Sequence, residues 1–209
     1  MDVLMHQREF WRPTSTGLLV NRVVPGSRRY LYRQEKPPGR EAVALPGREL
    51  WILHPRGEAL PAGADPAGLQ VLLLDGSWGE AARMATHVAG WGRLVRLPEA
   101  GDSRNGLRRQ ELAGKYSTAE SLMFLFAALG LAEAERQLRL QFELHVYAGL
   151  RTRGARAQAE EFLAASSLPT AFPDLVAEMH RRRPRFEPGV GQPAGGREQD
   201  TRAPRQEPN

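Results

Sequence analysis

Apolar residues in the first half of the chain come in short continuous runs rather than in alternation with polar ones. The clearest run, Val71 to Leu74, is typical of a strand buried on both faces of a parallel sheet. The runs "LWILHP", ending at Pro55, and "GRLVRLP", from Gly92 to Pro98, predict two further strands. After a glycine turn, apolar residues recur at helical spacing from Glu80 to Val88. This alternation predicts an α/β domain with a mostly parallel sheet flanked by helices.

The second half of the chain has the periodicity of helices. One helix is predicted through "YSTAESLMFLFAALG" to about Leu129, another from about Ala132 to Leu150, and shorter ones around 155–165 and 173–183. After Pro188 the residues are mainly Gly, Pro, Gln, Glu and Arg, which leaves almost nothing to bury. The predicted organisation is a main domain over 1–150, a helical extension over 151–187 and a disordered tail over 188–209.

Two segments of the first half lack a clear apolar pattern. Residues 25–47 are rich in proline, glycine and arginine, and they predict a mobile loop or an arm over a ligand. Near the N-terminus, "HQREFWRPTSTGLLV" predicts a compact polar loop that carries His6, Glu9, Thr14 and Thr16 ahead of an apolar run. A lone histidine such as His6 usually has a structural role.

Composition limits the possible functions. A hydrophobic fraction of 41% with no apolar run near the roughly 20 residues of a membrane span predicts a soluble protein. The N-terminus lacks the features of a secretory signal, so we expect a cytoplasmic location. The absence of cysteine excludes disulfides, thiolate zinc sites and a cysteine nucleophile. The 5 histidines have no ligand spacing, and no metal is predicted.

The net charge of +5 is compatible with a polyanionic partner such as RNA. Of the 29 basic residues only Lys36 and Lys115 are lysine. Arginine is the better residue for forked phosphate contacts and for stacking on bases. A GC-rich genome would produce the same bias, so composition leaves both explanations open.

An acid, Asp75, stands at the end of the clearest predicted strand. The carboxyl ends of parallel strands are where open α/β sheets bind ligands, which indicates a functional carboxylate. The structural alternative is an N-cap for the following helix, although Ser77 is the nearer capping candidate. Trp78, next in the chain, is either a packing residue or a face on which a planar ring could stack.

Two further polar stretches are candidates for binding. Residues 117–120, "STAE", form a capping box, and a helix that opens this way can also hold a ligand carboxylate at its N-terminus. Arg104 and Arg108 lie in a Gly-containing loop that is either a solvated basic face or a contact to a phosphate backbone. The usual nucleotide-binding, zinc-protease and nucleophile-elbow signatures are missing from the sequence.

Taken in order, "HQREFWRPTSTGLL", "LHPRGEA", "LLLDGSWGEAARM", "RLP" and "LRRQELAGKYSTAES" resemble the successive motifs of the DTW-domain family. The resemblance covers about residues 4 to 150. The family's usual "DGTW" is here Asp75-Gly76-Ser77-Trp78, in which Ser77 keeps the hydroxyl of threonine. Ser15 stands where the family commonly has asparagine, and the cysteine cluster that begins many members is missing. Related ribosomal-RNA enzymes have similar "DCSW" and "RLP" motifs.

The resemblance implies a tRNA-uridine aminocarboxypropyltransferase with a SPOUT-like fold and a C-terminal knot. Such an enzyme transfers the 3-amino-3-carboxypropyl group of S-adenosylmethionine to N3 of a uridine in tRNA and releases methylthioadenosine. Asp75 would accept the N3 proton or orient a substrate. The motifs place the co-substrate against Thr16, Leu53, Leu97, Ser117 and Thr118, and the RNA against Trp78, Arg104 and Arg108.

Two other functions fit the same residues. The first is a SPOUT-type RNA methyltransferase, which would use the same co-substrate and fold. The second is a non-catalytic RNA-binding protein, suggested by the missing cysteine cluster and the many arginines. A monomer is favoured over a dimer. The modified nucleoside and the release of methylthioadenosine distinguish these functions.

Overall fold

Five parallel strands form the centre of the protein. A computed structural model describes residues 1–98, 103–107 and 116–181. The strands are β1 (Asp2–His6), β2 (Arg29–Tyr32), β3 (Glu49–Ala59), β4 (Leu69–Asp75) and β5 (Arg93–Arg96). They pair in the order β2-β1-β4-β3-β5, and every pair is parallel. The prediction of a mostly parallel sheet is therefore confirmed.

Helices flank the sheet and make up the C-terminal region. They are α1 (Gln7–Phe10), α2 (Gly17–Val23), α3 (Arg40–Val43), α4 (Trp78–His87), α5 (Thr118–Ala128), α6 (Ala132–Thr152), α7 (Arg156–Ala164), α8 (Leu168–Ala171) and α9 (Pro173–His180). The helices predicted after β4 and in the second half are present, with bounds shifted by a few residues. In the part of the chain that the structure describes, no helix is long and apolar enough to span a bilayer.

The sheet is buried on both faces, which explains the continuous apolar run in β4. Val71 and Leu73 point into a large core formed with α2, α5 and α6. Leu72 points the other way, into a smaller core with Met84 and Val88 at α4. Successive strand residues face opposite sides, so a central strand covered on both sides needs apolar residues at every position.

The prediction of a loop or arm over residues 25–47 is wrong in part. This segment contributes the edge strand β2 and the short helix α3, and Val43 is fully buried in the smaller core. The "HQREF" stretch is likewise not a simple loop, since His6 ends the buried strand β1 and α1 follows it. The apolar run of β1 is only three residues long, and in the edge strand β2 only Tyr32 is buried, so neither strand leaves a clear pattern in the sequence.

Strand β3 runs beyond the predicted end at Pro55. Val95 of β5 pairs with both Leu53 and Glu58, and the four residues between them form an irregular step. Proline is tolerated at such a step because one ladder hydrogen bond is already missing there. At Gly57 a Cβ atom would lie 2.5 Å from the Val95 backbone nitrogen, so this close approach requires glycine.

The C-terminal helices share the large core with the sheet. Tyr147 in α6, Leu163 in α7 and Val176 in α9 belong to the same cluster of buried side chains as Val3 in β1. The predicted knot is not shown, and the link between β5 and α5 includes positions 99–102 and 108–115, outside the described residues. The predicted disordered tail over 188–209 also lies outside them.

Candidate active site

The carboxyl ends of the parallel strands meet at one edge of the sheet, and Asp75 lies near its middle. Strand β4, which Asp75 ends, runs between β1 and β3, and Asp75 is paired with Met5. Leu53 is in the neighbouring strand β3, and Leu97 directly follows β5. Because all strands are parallel, the motifs that follow them come together at this edge.

The carboxylate of Asp75 is held by two hydroxyl groups. Ser15 Oγ donates to Oδ2 at 2.6 Å, and Thr118 Oγ1 donates to Oδ1 at 2.6 Å. The residue is only 2% exposed. Two hydrogen bonds to the charged form stabilise a buried carboxylate that would otherwise be costly to desolvate. Asp75 therefore ties β4 to the loop before α2 and to the start of α5.

Thr16 and Gly17 complete the contact with α2. Thr16 Oγ1 accepts a hydrogen bond from the Ala119 backbone N–H at 3.3 Å. A Cβ atom on Gly17 would lie 2.6 Å from Asp75 Oδ2, so only glycine lets the first turn of α2 approach the carboxylate this closely. The two predicted co-substrate residues Thr16 and Thr118 thus lie in one hydrogen-bonded cluster around Asp75.

The predicted capping box at the start of α5 is confirmed. Ser117 Oγ accepts from the Glu120 N–H, and the Glu120 carboxylate accepts from the Ser117 N–H at 2.8 Å. Glu120 also accepts from Ser103 Oγ and from the Arg104 N–H, which anchors the loop before α5. The Ala119 and Glu120 N–H groups therefore already have acceptors within the protein.

Helix α4 is capped by Ser77, so the interpretation of Asp75 as its N-cap is wrong. Ser77 Oγ accepts from the Glu80 N–H, and the Glu80 carboxylate accepts from the Ser77 N–H at 2.8 Å. Glu80 Oε1 also lies 3.1 Å from His6 Nδ1 and 3.6 Å from Arg8 NH1. Burial alone would raise the pKa of Glu80, but the Ser77 hydrogen bonds and the charges of His6 and Arg8 outweigh it and lower the pKa.

The predicted RNA contacts lie in different surroundings. Trp78 is the first residue of α4 and is 45% exposed beside the site. The Arg104 guanidinium, in contrast, is bound internally: it donates to Glu143 at 3.0 Å and to the Ala165 carbonyl at 2.7 Å. Arg108 lies outside the described residues. Arg104 therefore has a structural role whatever its part in RNA binding.

Ser15 and Glu80 belong to the site but were not predicted from the sequence. Ser15 lies inside the motif that carries Thr16, but only the fold shows that its hydroxyl reaches Asp75, 60 residues away. The role of Glu80 could have been predicted from the sequence, because the pattern Ser77-x-x-Glu80 is itself a capping box. The predicted Leu53 and Leu97 are partly buried against the large core, so their backbones are the groups available to a ligand.

A cavity in the described structure lies away from Asp75. A cavity of about 290 Å³ lies at the opposite edge, where β3, β4 and β5 begin, and Glu49, Trp51, Leu69 and Arg93 are among its lining residues. None of the predicted site residues lines this cavity. Among residues 1–98, 103–107 and 116–181, no group of three or more metal-ligating side chains is placed to hold an ion.

A five-stranded parallel sheet flanked by helices, with polar side chains gathered at the carboxyl ends of its strands, defines the α/β class of fold. Residues 1–148 match the family model of the DTW domain, and the chain belongs to that family. Its members are generally tRNA aminocarboxypropyltransferases that use S-adenosylmethionine. No curated protein and no solved structure matches this chain.

Proposed function

We propose that this protein transfers the 3-amino-3-carboxypropyl group of S-adenosylmethionine to N3 of a uridine in tRNA. The observation that supports this most is the cluster around Asp75, where hydroxyls from two other family motifs, Ser15 and Thr118, converge on one buried carboxylate. Burying a carboxylate costs free energy unless the group is fully paired. Stability alone therefore gives no reason to place Asp75 in a buried position and to hold it with hydroxyls from distant segments. Family membership supports this reaction type, because DTW-domain proteins are generally tRNA aminocarboxypropyltransferases.

The residues at the edge fit S-adenosylmethionine in their chemistry. The co-substrate supplies the transferred group, whose γ-carbon is activated by the sulfonium leaving group. Leu53 and Leu97 offer backbone groups and apolar surface on neighbouring strands, which suit an adenosine moiety. Thr16 and Thr118 have hydroxyls in the cluster around Asp75, and Ser117, whose hydroxyl bonds Glu120, directly precedes Thr118. The polar aminocarboxypropyl end would lie near these three residues. The protein then has to orient the uridine so that N3, and not another nucleophile, faces the reacting carbon.

For Asp75 we propose a positioning role rather than that of a general base. Each of its oxygens already accepts a hydroxyl hydrogen bond, and the residue is almost wholly buried. A general base must instead reach the proton that it removes within hydrogen-bond distance or through one water. Asp75 would hold Ser15 and Thr118 in register, and solvent would take the N3 proton.

The direct test incubates the purified full chain with S-adenosylmethionine and an unmodified tRNA transcript. We expect aminocarboxypropyluridine in the digested tRNA and an equal amount of methylthioadenosine, measured by mass spectrometry. A methylated nucleoside with S-adenosylhomocysteine would instead establish a methyltransferase. Binding of tRNA without either product would establish a non-catalytic RNA-binding protein. Either result would overturn the proposal.

A matched pair of variants separates the site from general effects on the fold. Thr118→Ala removes a hydroxyl that contacts Asp75, whereas Thr86→Ala removes an exposed hydroxyl that bonds only its own helix at Ala82. We expect the first variant to lose most of the product and the second to retain wild-type activity. Equal activity of the two variants would argue against a site at Asp75.

A further inference from the structure

Two tryptophans are exposed at the edge of the sheet that carries Asp75. Trp11 is 77% exposed just after α1, which follows β1, and Trp78 is 45% exposed at the start of α4, which follows β4. Since β1 and β4 are paired neighbours, both rings follow the carboxyl ends of adjacent strands. In the described ranges only one other large apolar side chain, Leu175 in α9, is exposed.

The Trp11 ring packs against a neighbouring aromatic ring, that of Phe10. The Trp11 and Phe10 rings form a T-shaped pair, with ring centroids 4.9 Å apart and planes inclined at 71°. Phe10 in turn packs against the large core and lies under the Arg29 guanidinium at 5.5 Å. A large apolar ring that is held in place and left in water is typical of a surface that binds a partner.

Two exposed arginines, Arg8 and Arg12, lie close to Trp11 in the chain. Arg8 is 79% exposed and reaches Glu80 of α4 at 3.6 Å, which links the segment of Trp11 to the helix that begins with Trp78. Arg12 is 54% exposed and is bound to Glu9 at 2.6 Å. Exposed aromatic faces interleaved with arginines are the combination that binds unpaired bases and their phosphates.

We propose that Trp11, with Arg8, Arg12 and Trp78, forms a platform on which unpaired nucleotides of the RNA substrate stack beside the active site. The inference rests on the proposed function, because it assigns the RNA to the same edge as Asp75. Stacking on an indole tolerates any base, and the arginines supply phosphate contacts, so the platform favours single-stranded over duplex RNA. A uridine whose N3 must react has to be unpaired, since base pairing occupies N3.

The test measures the affinity of the full chain for a short fluorescein-labelled oligouridylate by fluorescence anisotropy at several salt concentrations. A blunt RNA duplex of the same length is the competitor. We expect tighter binding of the single strand, and an affinity for it that is about 5- to 150-fold weaker in Trp11→Ala. Trp11→Phe, which keeps an aromatic face, should recover most of the affinity. Leu175→Ala removes another exposed apolar side chain and should change nothing.

The contribution of an arginine to RNA affinity can be measured in the same assay against a matched control. Arg12 and Arg136 are both exposed and each pairs with a glutamate three residues earlier, Glu9 and Glu133. Arg136 lies in the second turn of α6, beyond the far end of α5, a helix about 16 Å long that starts at Thr118. Arg12→Gln should weaken binding and reduce the slope of log affinity against log salt by about 0.7, whereas Arg136→Gln should do neither.

The outcomes for the platform and for the proposed function are distinct. Wild-type affinity in Trp11→Ala, or equal losses in Arg12→Gln and Arg136→Gln, would overturn the platform. So would a change of oligomeric state in Trp11→Ala with RNA affinity unchanged, which would identify a protein contact. Absence of aminocarboxypropyluridine from the wild-type reaction would instead overturn the proposed function, whatever the binding data show.

Discussion

At the scale of single residues, Asp75 is central because of its contacts with distant parts of the chain. Ser15 is 60 residues and Thr118 is 43 residues away in sequence, yet both hydroxyls lie 2.6 Å from its carboxylate. Hydrogen bonds to a buried charge are worth more than those between neutral groups. The same contacts that would organise the site therefore also stabilise the fold.

This double role gives a stability prediction for Thr118. We expect Thr118→Ala to lower the free energy of unfolding by about 1.5–3 kcal/mol, because it leaves Oδ1 of the buried Asp75 without this donor. Thr86→Ala, at an exposed position, should change it by less than about 0.5 kcal/mol. Chemical denaturation monitored by circular dichroism measures both. A Thr118 variant as stable as the Thr86 variant would contradict the importance of the contact.

Glu80 gives a prediction about pH. Its pKa is lowered in the folded protein from an ordinary value of 4.5, so the folded state binds this proton less readily than the unfolded chain does. The stabilisation is therefore fully present above pH 4.5 and is lost as the pH falls through the lowered folded pKa. Wild type should lose more stability between about pH 6 and about pH 3 than Glu80→Gln does. Denaturant titrations at the two pH values measure the loss for each protein, and equal losses in wild type and Glu80→Gln would contradict this.

At the scale of elements, the contact between α2 and β4 depends on Gly17. A side chain at this position would overlap the Asp75 carboxylate, since its Cβ would lie 2.6 Å from Oδ2. We expect Gly17→Ala to cost about 1–3 kcal/mol of stability, as overpacking in a well-packed interior does, and to reduce product formation. Gly79→Ala in α4 is the control, because a Cβ atom added there would have nothing within 4 Å. Thermal unfolding compares the two, and equal melting temperatures would contradict the close contact.

The elements also show how far the sequence could predict the fold. Strand β4 was predictable because it is covered on both faces and so needs apolar residues throughout. Strands β1 and β2 were not: the apolar run of β1 is only three residues long, Val3 to Met5, and β2, "RYLY", lies in a segment rich in proline, glycine and arginine. The capping box at Ser117 was predictable because its two hydrogen bonds are local in sequence.

The candidate site could be predicted only in part, because some of its contacts join segments that are far apart in the chain. Asp75 could be proposed from its place at the end of a buried strand, and the resemblance to the DTW-domain family pointed to Thr16 and Thr118. The hydroxyl of Ser15 and the internal binding of Arg104 depend on contacts between segments far apart in the chain. Such contacts are set by packing of the whole fold and leave no local pattern.

At the scale of the whole molecule, Arg104 joins the loop before α5 to the C-terminal helices. Its guanidinium contacts Glu143 in α6 and the Ala165 carbonyl at the end of α7, and lies 5.2 Å from the Phe162 ring centre. Its own backbone N–H donates to Glu120, in the capping box next to Thr118. The C-terminal helices are thereby connected to the element that contacts Asp75.

Removing this connection should destabilise the molecule as a unit. Arg104→Ala leaves the buried Glu143 carboxylate without its cationic partner, and we expect a loss of about 1–3 kcal/mol in the free energy of unfolding. Arg139→Ala removes the partner of Glu135 in the same helix α6, whose side chain is 17% exposed against 2% for Glu143, and should cost less than about 1 kcal/mol. Denaturant titrations decide this, and equal costs would show that the Arg104 contact is of minor importance.

The most direct test of the account is the rate of aminocarboxypropyluridine formation by Asp75→Asn and Asp75→Ala relative to wild type. Asparagine keeps the shape of the side chain, and the Ser15 and Thr118 hydroxyls can rotate to accept or donate as needed. If Asp75 positions the site, wild type forms the product, Asp75→Asn reacts at a rate within about 10-fold of wild type, and Asp75→Ala loses about 100-fold or more because the site is misplaced. A loss of about 10²- to 10⁴-fold in Asp75→Asn, as for a general base, would contradict the positioning role, and no product from wild type would contradict the account as a whole.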